Sequence, residues 1–175
     1  METKILKAKY VIAGSELAVK EHAAVKIEDG KITEIYENVS QIPEELKSEI
    51  IDYGEKTIMP GMIDCHNHLA LDTRLENHLV KMNDCECEQT LRAIKTMKDD
   101  LVSGVTTARC LGDRFYVDVT CKKAQKEGRL TGPKLVVSGI GMRASHGHGN
   151  LVCRLMVLNS FADRRGKILR MGLIF

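Results

Sequence analysis

Residues 59–69 read Met-Pro-Gly-Met-Ile-Asp-Cys-His-Asn-His-Leu, and this stretch decides the fold class. The Pro-Gly pair predicts a turn, and the apolar residues after it predict a strand that ends on two histidines. Side chains two residues apart in a strand point to the same side, so we expect His66 and His68 to converge and Asn67 to face away. Neutral imidazole suits zinc, manganese or iron, and the pair therefore predicts half of a divalent metal site.

After this stretch the sequence alternates between helix and strand patterns. Apolar residues at Leu91, Ile94, Met97, Leu101 and Val102 have nearly helical spacing. Further elements are predicted as a strand over 105–108, a helix over 118–128 and a strand over 134–138. Strands that alternate with helices predict βα units and a parallel sheet.

The part before this stretch has the patterns of a small β-sheet layer. Residues 5–12 form a mixed apolar run that predicts one strand, and residues 50–54 and 57–59 predict two short ones. Asp29-Gly30 lies between two alternating segments, which is a strong hairpin pattern. Residues 42–47 are expected to form a loop or a single helical turn.

Three stretches together resemble the metal-dependent amidohydrolase superfamily. Its first barrel strand typically reads Pro-Gly-apolar-Ile-Asp-x-His-x-His, as residues 60–68 do, and residues 104–109 and 132–139 resemble its second and third strands. Residues 147–149, Gly-His-Gly, resemble a segment of the branch that contains imidazolonepropionase-like and Xaa-Pro dipeptidase-like enzymes. The resemblance covers roughly residues 1–154.

The resemblance implies an α/β chain with two structured parts. Residues 1–58 would form the N-terminal part of a small β-sandwich, and residues 59–154 the first two or three βα units of a (β/α)8 TIM barrel. A complete barrel typically needs about 250 residues, so 175 residues predict an incomplete one. We expect the open strand edges to promote homo-oligomers or aggregates.

Residues 155–175 do not share the resemblance. Residues 150–175 carry a net charge of +4, whereas the rest of the chain carries −2. A reading frame shifted by one base from the end of Arg154 permits an Asp-Gly turn, an Arg-rich helix and a Gly-Ala-Asp segment, as the family has here. The hypothesis is that this tail is out of frame and that the chain is an N-terminal fragment.

The resemblance also implies roles for single residues. His66 and His68 would be metal ligands, His148 and Arg109 would contact substrate, and Asp64 would orient a metal-bound histidine through a hydrogen bond. The family's other ligands follow later strands, so no complete catalytic set is expected in this chain. The cofactor would be one or two divalent ions, with zinc expected.

Several of these roles have alternatives. Arg109 could instead form an ion pair with Asp113 or Asp64, and Asp64 could simply cap the strand end. His146 and His148 could form an adventitious metal pair.

The function implied is metal-dependent hydrolysis of carbon–nitrogen bonds in a small amide or dipeptide-like substrate, with this chain expected to be an inactive truncated form. The alternative is a non-catalytic remnant that binds a divalent metal weakly through His66 and His68, or acts only as an assembly partner. A third class, a redox or zinc-ribbon module, would use Cys85 and Cys87.

Composition indicates which classes of partner and which cellular compartment to expect. The net charge is +2, and no basic run alternates with aromatic residues, so nucleic acid is not an expected partner. No segment reaches the roughly 20 apolar residues of a membrane span, and residues 1–9 lack the apolar centre of a signal peptide. We therefore expect a cytoplasmic protein whose six cysteines are thiols.

Overall fold

The computed structural model describes residues 2–14, 16–72, 74 and 76–141, with only the backbone of Leu79. The chain divides into two compact units after Pro60. The predicted boundary, after residue 58, lies slightly before this division. The predicted tail and the predicted roles of His146 and His148 fall outside the described residues.

The described part of the first unit contains two sheets. One has the strand order β5-β4-β1-β6 and the other the order β3-β2-β7. In the first sheet β1 is antiparallel to β4 and parallel to β6. The strands are β1 Thr3–Lys7, β2 Tyr10–Ala13, β3 Ala18–Glu21, β4 Ala24–Glu28, β5 Lys31–Tyr36, β6 Ile50–Asp52 and β7 Thr57–Ile58.

Strand β4 connects two small apolar cores because its side chains alternate between the two faces of the sheet. Val25 and Ile27 pack with Val11 and Ile58 of the second sheet. Ala24 points to the other face, where apolar residues of β1, β5 and the following short 3₁₀ segments enclose it. The two sheets are thus packed face to face through one side of β4.

The hairpin at Asp29-Gly30 is confirmed, since β4 and β5 pair antiparallel across it. The prediction of one strand over residues 5–12 is wrong. The chain leaves the first sheet at Ala8, which is buried, and the amide N–H of Lys9 donates to the carbonyl of Gly54. Strand β3 was not predicted. Residues 42–47, expected as a loop or a single helical turn, overlap the 3₁₀ helix Glu44–Glu49, and another 3₁₀ turn, Val39–Gln41, precedes it.

The second unit contains a parallel sheet of order β10-β9-β8. This confirms the parallel sheet that the alternation of strands and helices predicted, and the chain is of mixed α/β class. Its elements are β8 Met62–Asn67, α1 His78–Lys81, α2 Glu86–Val102, β9 Val105–Cys110, α3 Val117–Lys126 and β10 Lys134–Val136.

Helices α2 and α3 cover one face of this sheet. Their buried side chains Ala93, Met97 and Cys121 join Ala108 and Leu135 of the strands in one apolar core. Helix α2 ends before Gly104, whose φ of +95° lets the chain turn back into β9. The three strands therefore end at the same edge of the sheet, where the histidine pair lies.

Strand β10 ends at Val136, whereas the sequence predicted a strand over 134–138. The amide N–H groups of Ser138 and Gly139 donate to the buried carboxylate of Asp118 and not to a neighbouring strand. In the described part of the chain, no helix has both the length and the apolar character that crossing a membrane requires.

Candidate metal centre

The turn before β8 lies directly against β9. A Cβ atom on Gly61 would stand 2.1 Å from Oγ1 of Thr106, so only glycine fits between the two strands. The amide N–H of Met62 then donates to the carbonyl of Gly104 at 2.9 Å. The Pro-Gly turn therefore fixes where β8 enters the sheet.

The end of β8 brings the two histidines together. The pairing register between β8 and β9 shifts between Asp64 and Asn67, which marks a bulge at this end of the strand. The imidazole rings of His66 and His68 have their centroids 5.4 Å apart in an edge-to-face arrangement. Asn67 points away into the protein and is buried. The ring spacing agrees with the convergence that the sequence led us to expect.

A long-range contact orients the ring of His68. Its Nδ1 lies 2.7 Å from the carbonyl oxygen of Gly112 in the loop after β9. A carbonyl oxygen can only accept, so Nδ1 carries a proton, and in the neutral imidazole Nε2 then keeps its lone pair. Histidines that bind metals usually have this arrangement, in which one ring nitrogen donates to the protein and the other faces the ion.

Asp64 contacts the backbone of the pair and not an imidazole ring. Its Oδ1 accepts from the amide N–H of His66 at 2.9 Å, and its Oδ2 accepts from Nδ2 of Asn67 at 3.0 Å. The His66 amide is the main reason why the pKa of Asp64 is lowered. Asp64 thus shapes the bulge that carries His66, a role the sequence did not specify.

Asn67 links β8 to helix α2. Its Nδ2 also donates to the carboxylate of Asp100 at 3.1 Å, and burial raises the pKa of that carboxyl group. Oδ1 of Asn67 is buried without a hydrogen-bond partner. The amide group is therefore held between the carboxylates of Asp64 and Asp100.

A polar cleft of about 390 Å³ adjoins the histidines. Arg74 crosses it and binds the carboxylates of Asp72 and Asp99. These hydrogen bonds from Arg74 hold the pKa of Asp72 down to about 2. Asp72 and Asp99 are therefore charged at neutral pH and are neutralised in part by Arg74.

Arg109 leaves the open face of the sheet and remains exposed. Its Nη1 donates to the carbonyl of Cys65 at 3.4 Å. The ion pair with Asp113 or Asp64, considered above as an alternative, does not form: both carboxylates accept hydrogen bonds from other groups. Within the described residues, the guanidinium makes this hydrogen bond and is otherwise exposed.

The described residues fit a divalent ion in part. Two imidazoles at one strand end, one of them with its Nε2 lone pair directed away from its protein partner, are a suitable donor pair. Among the described residues no group of three or more His, Cys, Asp or Glu side chains is placed to hold an ion. Cys85 and Cys87 are exposed free thiols, with Cys85 at the N-cap of α2.

Two buried aspartates near the pair were not predicted as site residues. Asp113 follows β9 and Asp118 lies in the first turn of α3, and in the described part of the chain both accept hydrogen bonds from backbone amides. Burial raises the pKa of Asp113 to about 6, and it also raises the pKa of Asp118. The pattern Gly-Asp directly after a strand could have indicated Asp113, but its partners lie too far away in sequence to be inferred.

Comparisons with known proteins agree with this architecture. The chain is 30% identical to the 5'-deoxyadenosine deaminase of Methanosarcina acetivorans, a match that covers 83% of this chain and 33% of the relative. A solved amidohydrolase structure superposes with a TM-score of 0.72 at 25% identity, covering 98% of this chain and 45% of that one. The resemblance to the amidohydrolase superfamily is confirmed. No family model matches the sequence.

A solved structure with a named activity shares the fold of this chain. The crystal structure of a Xaa-Pro dipeptidase with bound methionine in its active site matches 90% of this chain and 38% of that one, with a TM-score of 0.71 and 21% identity. The chain thus spans a third of the curated relative and less than half of these solved structures. Their names describe whole proteins of which this chain corresponds to one part.

Proposed function

We propose that His66 and His68 bind a divalent metal ion, with zinc expected, as the first-strand ligands of an amidohydrolase that cleaves carbon–nitrogen bonds. The contact between Nδ1 of His68 and the carbonyl of Gly112 carries the proposal, because it leaves Nε2 free as a ligand. In this proposal β8, β9 and β10 are the first strands of a (β/α)8 barrel, and the ion lies at their carboxyl ends.

The chain's own residues have separate tasks in this proposal. A divalent ion bound there would lower the pKa of water toward neutrality and polarise a carbonyl group. His66 and His68 hold the ion, and Asp64 keeps the backbone of His66 in its bulged conformation. The exposed guanidinium of Arg109 offers paired donors to the carboxylate of a dipeptide-like substrate. A substrate contact from His148 is also part of the proposal.

A small amide or dipeptide is the proposed substrate class. The names of the solved relatives support it, since a Xaa-Pro dipeptidase and a prolidase in complex with N-methylphosphonate-L-proline share this fold. The curated relative is a deaminase, which supports the broader class of carbon–nitrogen hydrolysis. Arg109 favours a substrate that carries a carboxylate.

A second candidate function is metal binding without turnover. One observation supports this candidate: the described residues bring together two imidazoles and no third ligand. A catalytic zinc normally has three protein ligands and an open position. The same fold could then bind an ion without activating water on it at an enzymatic rate.

One assay separates the two candidates. The purified chain is loaded with zinc and then incubated separately with Xaa-Pro dipeptides, N-acetyl amino acids and 5'-deoxyadenosine. Hydrolysis or deamination that disappears in His66→Ala supports catalysis by this chain. Zinc binding without turnover supports the second candidate, and the absence of any metal binding contradicts both. Cys87→Ser serves as the control, since only a cysteine-based site predicts an effect there.

A further inference from the structure

The loop after β9 binds the end of β8 at several consecutive positions. The amide N–H of Leu111 donates to the carbonyl of Asn67 at 2.9 Å. The carbonyl of Gly112 then accepts from the imidazole of His68 at 2.7 Å. These contacts join segments that are 44 residues apart in sequence.

The next residue continues the same connection. Oδ2 of Asp113 accepts from the amide N–H of Leu69 at 3.2 Å, and Oδ1 accepts from that of Ala70 at 2.9 Å. His68 is therefore bound twice by one dipeptide, through its ring by the Gly112 carbonyl and through the amides that follow it by the Asp113 carboxylate. This double connection restricts both the position and the rotation of the imidazole.

Gly112 can hold its carbonyl in this position only because it is glycine. Its φ is +123°, a region that side chains rarely adopt, and a Cβ atom there would stand 2.5 Å from the backbone nitrogen of Gly141. The amide N–H of Asp113 donates to the carbonyl of Gly139 at 2.9 Å. The loop after β10 thus packs against Gly112 and binds the amide of Asp113.

A carboxylate is the side chain that this position requires. Asp113 is 1% exposed, and both of its oxygens accept from backbone N–H groups. An asparagine would place an NH2 group against one of these N–H donors, and a buried donor would lose its acceptor. The substitution Asp113→Asn is therefore nearly isosteric, but it is expected to break the hydrogen bond from the amide N–H of either Leu69 or Ala70.

We propose that Gly112 and Asp113 are positioning residues for the metal site, which hold His68 in the tautomer that is protonated on Nδ1 and leaves Nε2 available to a divalent ion. The use of Nε2 as a metal ligand rests on the proposed function. The tautomer of His68 in the metal-free chain does not, and it can be measured separately.

The direct test is long-range ¹H–¹⁵N NMR of the histidine side chains in the metal-free chain, at a pH where the imidazoles are neutral. We expect the His68 resonance of the native chain to show protonation on Nδ1. Asp113→Asn and Gly112→Ala should both shift His68 toward a mixture of tautomers. Asp118→Asn is the matched control: it alters a carboxylate of similar burial that forms hydrogen bonds with Val119, Ser138 and Gly139 and none with residues 67–70.

Each NMR result either overturns or supports the positioning role of Gly112 and Asp113. Protonation of His68 on Nε2 in the native chain overturns the proposal, even if Asp113→Asn fails to fold. It is also overturned if both variants fold and retain the Nδ1–H tautomer, or if Asp118→Asn disturbs His68 as strongly as Asp113→Asn does. A mixed tautomer confined to the Gly112 and Asp113 variants supports it.

Zinc titration of the same proteins gives a second readout. If the proposed function holds, Asp113→Asn and Gly112→Ala should weaken zinc binding by about 10- to 100-fold, as is usual when a partner of a ligating histidine is lost. A native chain with the Nδ1–H tautomer but without zinc binding would contradict the proposed function and leave the positioning of His68 supported. Unchanged zinc affinity in both variants would contradict the positioning role alone.

Discussion

Arg74 and Asp72 form the residue pair with the clearest pH dependence. Asp72 is buried, and the hydrogen bonds from Arg74 lower its pKa to about 2. A carboxyl group whose pKa falls on folding stabilises the native state above its unfolded pKa, near 4, and loses that contribution as the pH falls toward 2. Because Arg74 itself is exposed, solvent screens the ion pair and we expect its contribution to stability to be small.

The substitution Arg74→Gln tests this pair. The free energy of unfolding should fall at pH 7, and the difference from the native chain should shrink between pH 4 and pH 2. Arg129→Gln is the matched control, because Arg129 binds a carboxylate two residues away that is much more exposed, Glu127. A deficit that persists unchanged at low pH would contradict the assignment of the stabilisation to ionised Asp72.

Single residues also show how far the sequence could predict the site. The spacing of His66 and His68 is local, so the period of a strand was enough to propose that they share a side, and their use as ligands of one ion stays a prediction. The partners of His68 and Asn67 are contributed by Gly112 and Asp100, each more than 30 residues away. No pattern within β8 identifies them, because they depend on which strand and helix pack beside it.

Helix α2 illustrates the same limit for an element. The apolar residues that predicted the helix are mostly not those it buries: Leu91 is 64% exposed, whereas Met97 is fully buried beside Ala93. The buried face also contains Gln89, whose amide donates to the carbonyls of Met82 and Asp84. Periodicity therefore predicted a helix but not which face packs on the sheet, since a buried polar residue with partners can replace an apolar one.

The packing of α2 leads to a stability prediction. Met97→Ala should lower the free energy of unfolding by about 2–5 kcal/mol, because it leaves a cavity in the core under the parallel sheet. Leu91→Ala, on the exposed side of the same helix, should change it by no more than about 0.5 kcal/mol. Urea unfolding followed by circular dichroism measures both. Equal losses in the two variants would contradict the orientation of the helix.

For the whole molecule, the exposed apolar side chains on an edge strand of the parallel sheet have the widest consequence. Ile63 is 66% exposed and Met62 is 46% exposed on β8, the outer strand of the described sheet. Self-association through such strands was expected from the sequence and stays a prediction. The out-of-frame tail also stays a prediction, because residues 142–175 lie outside the described part of the chain.

The central proposal is that the histidine pair at the end of β8 binds a divalent ion. Isothermal titration with zinc measures this directly for the full chain and for His66→Ala, His68→Ala and Cys87→Ser. We predict saturable binding to the native chain and to Cys87→Ser, and loss of that binding in each histidine variant. Binding that survives both histidine substitutions, or that disappears in Cys87→Ser, would contradict the account.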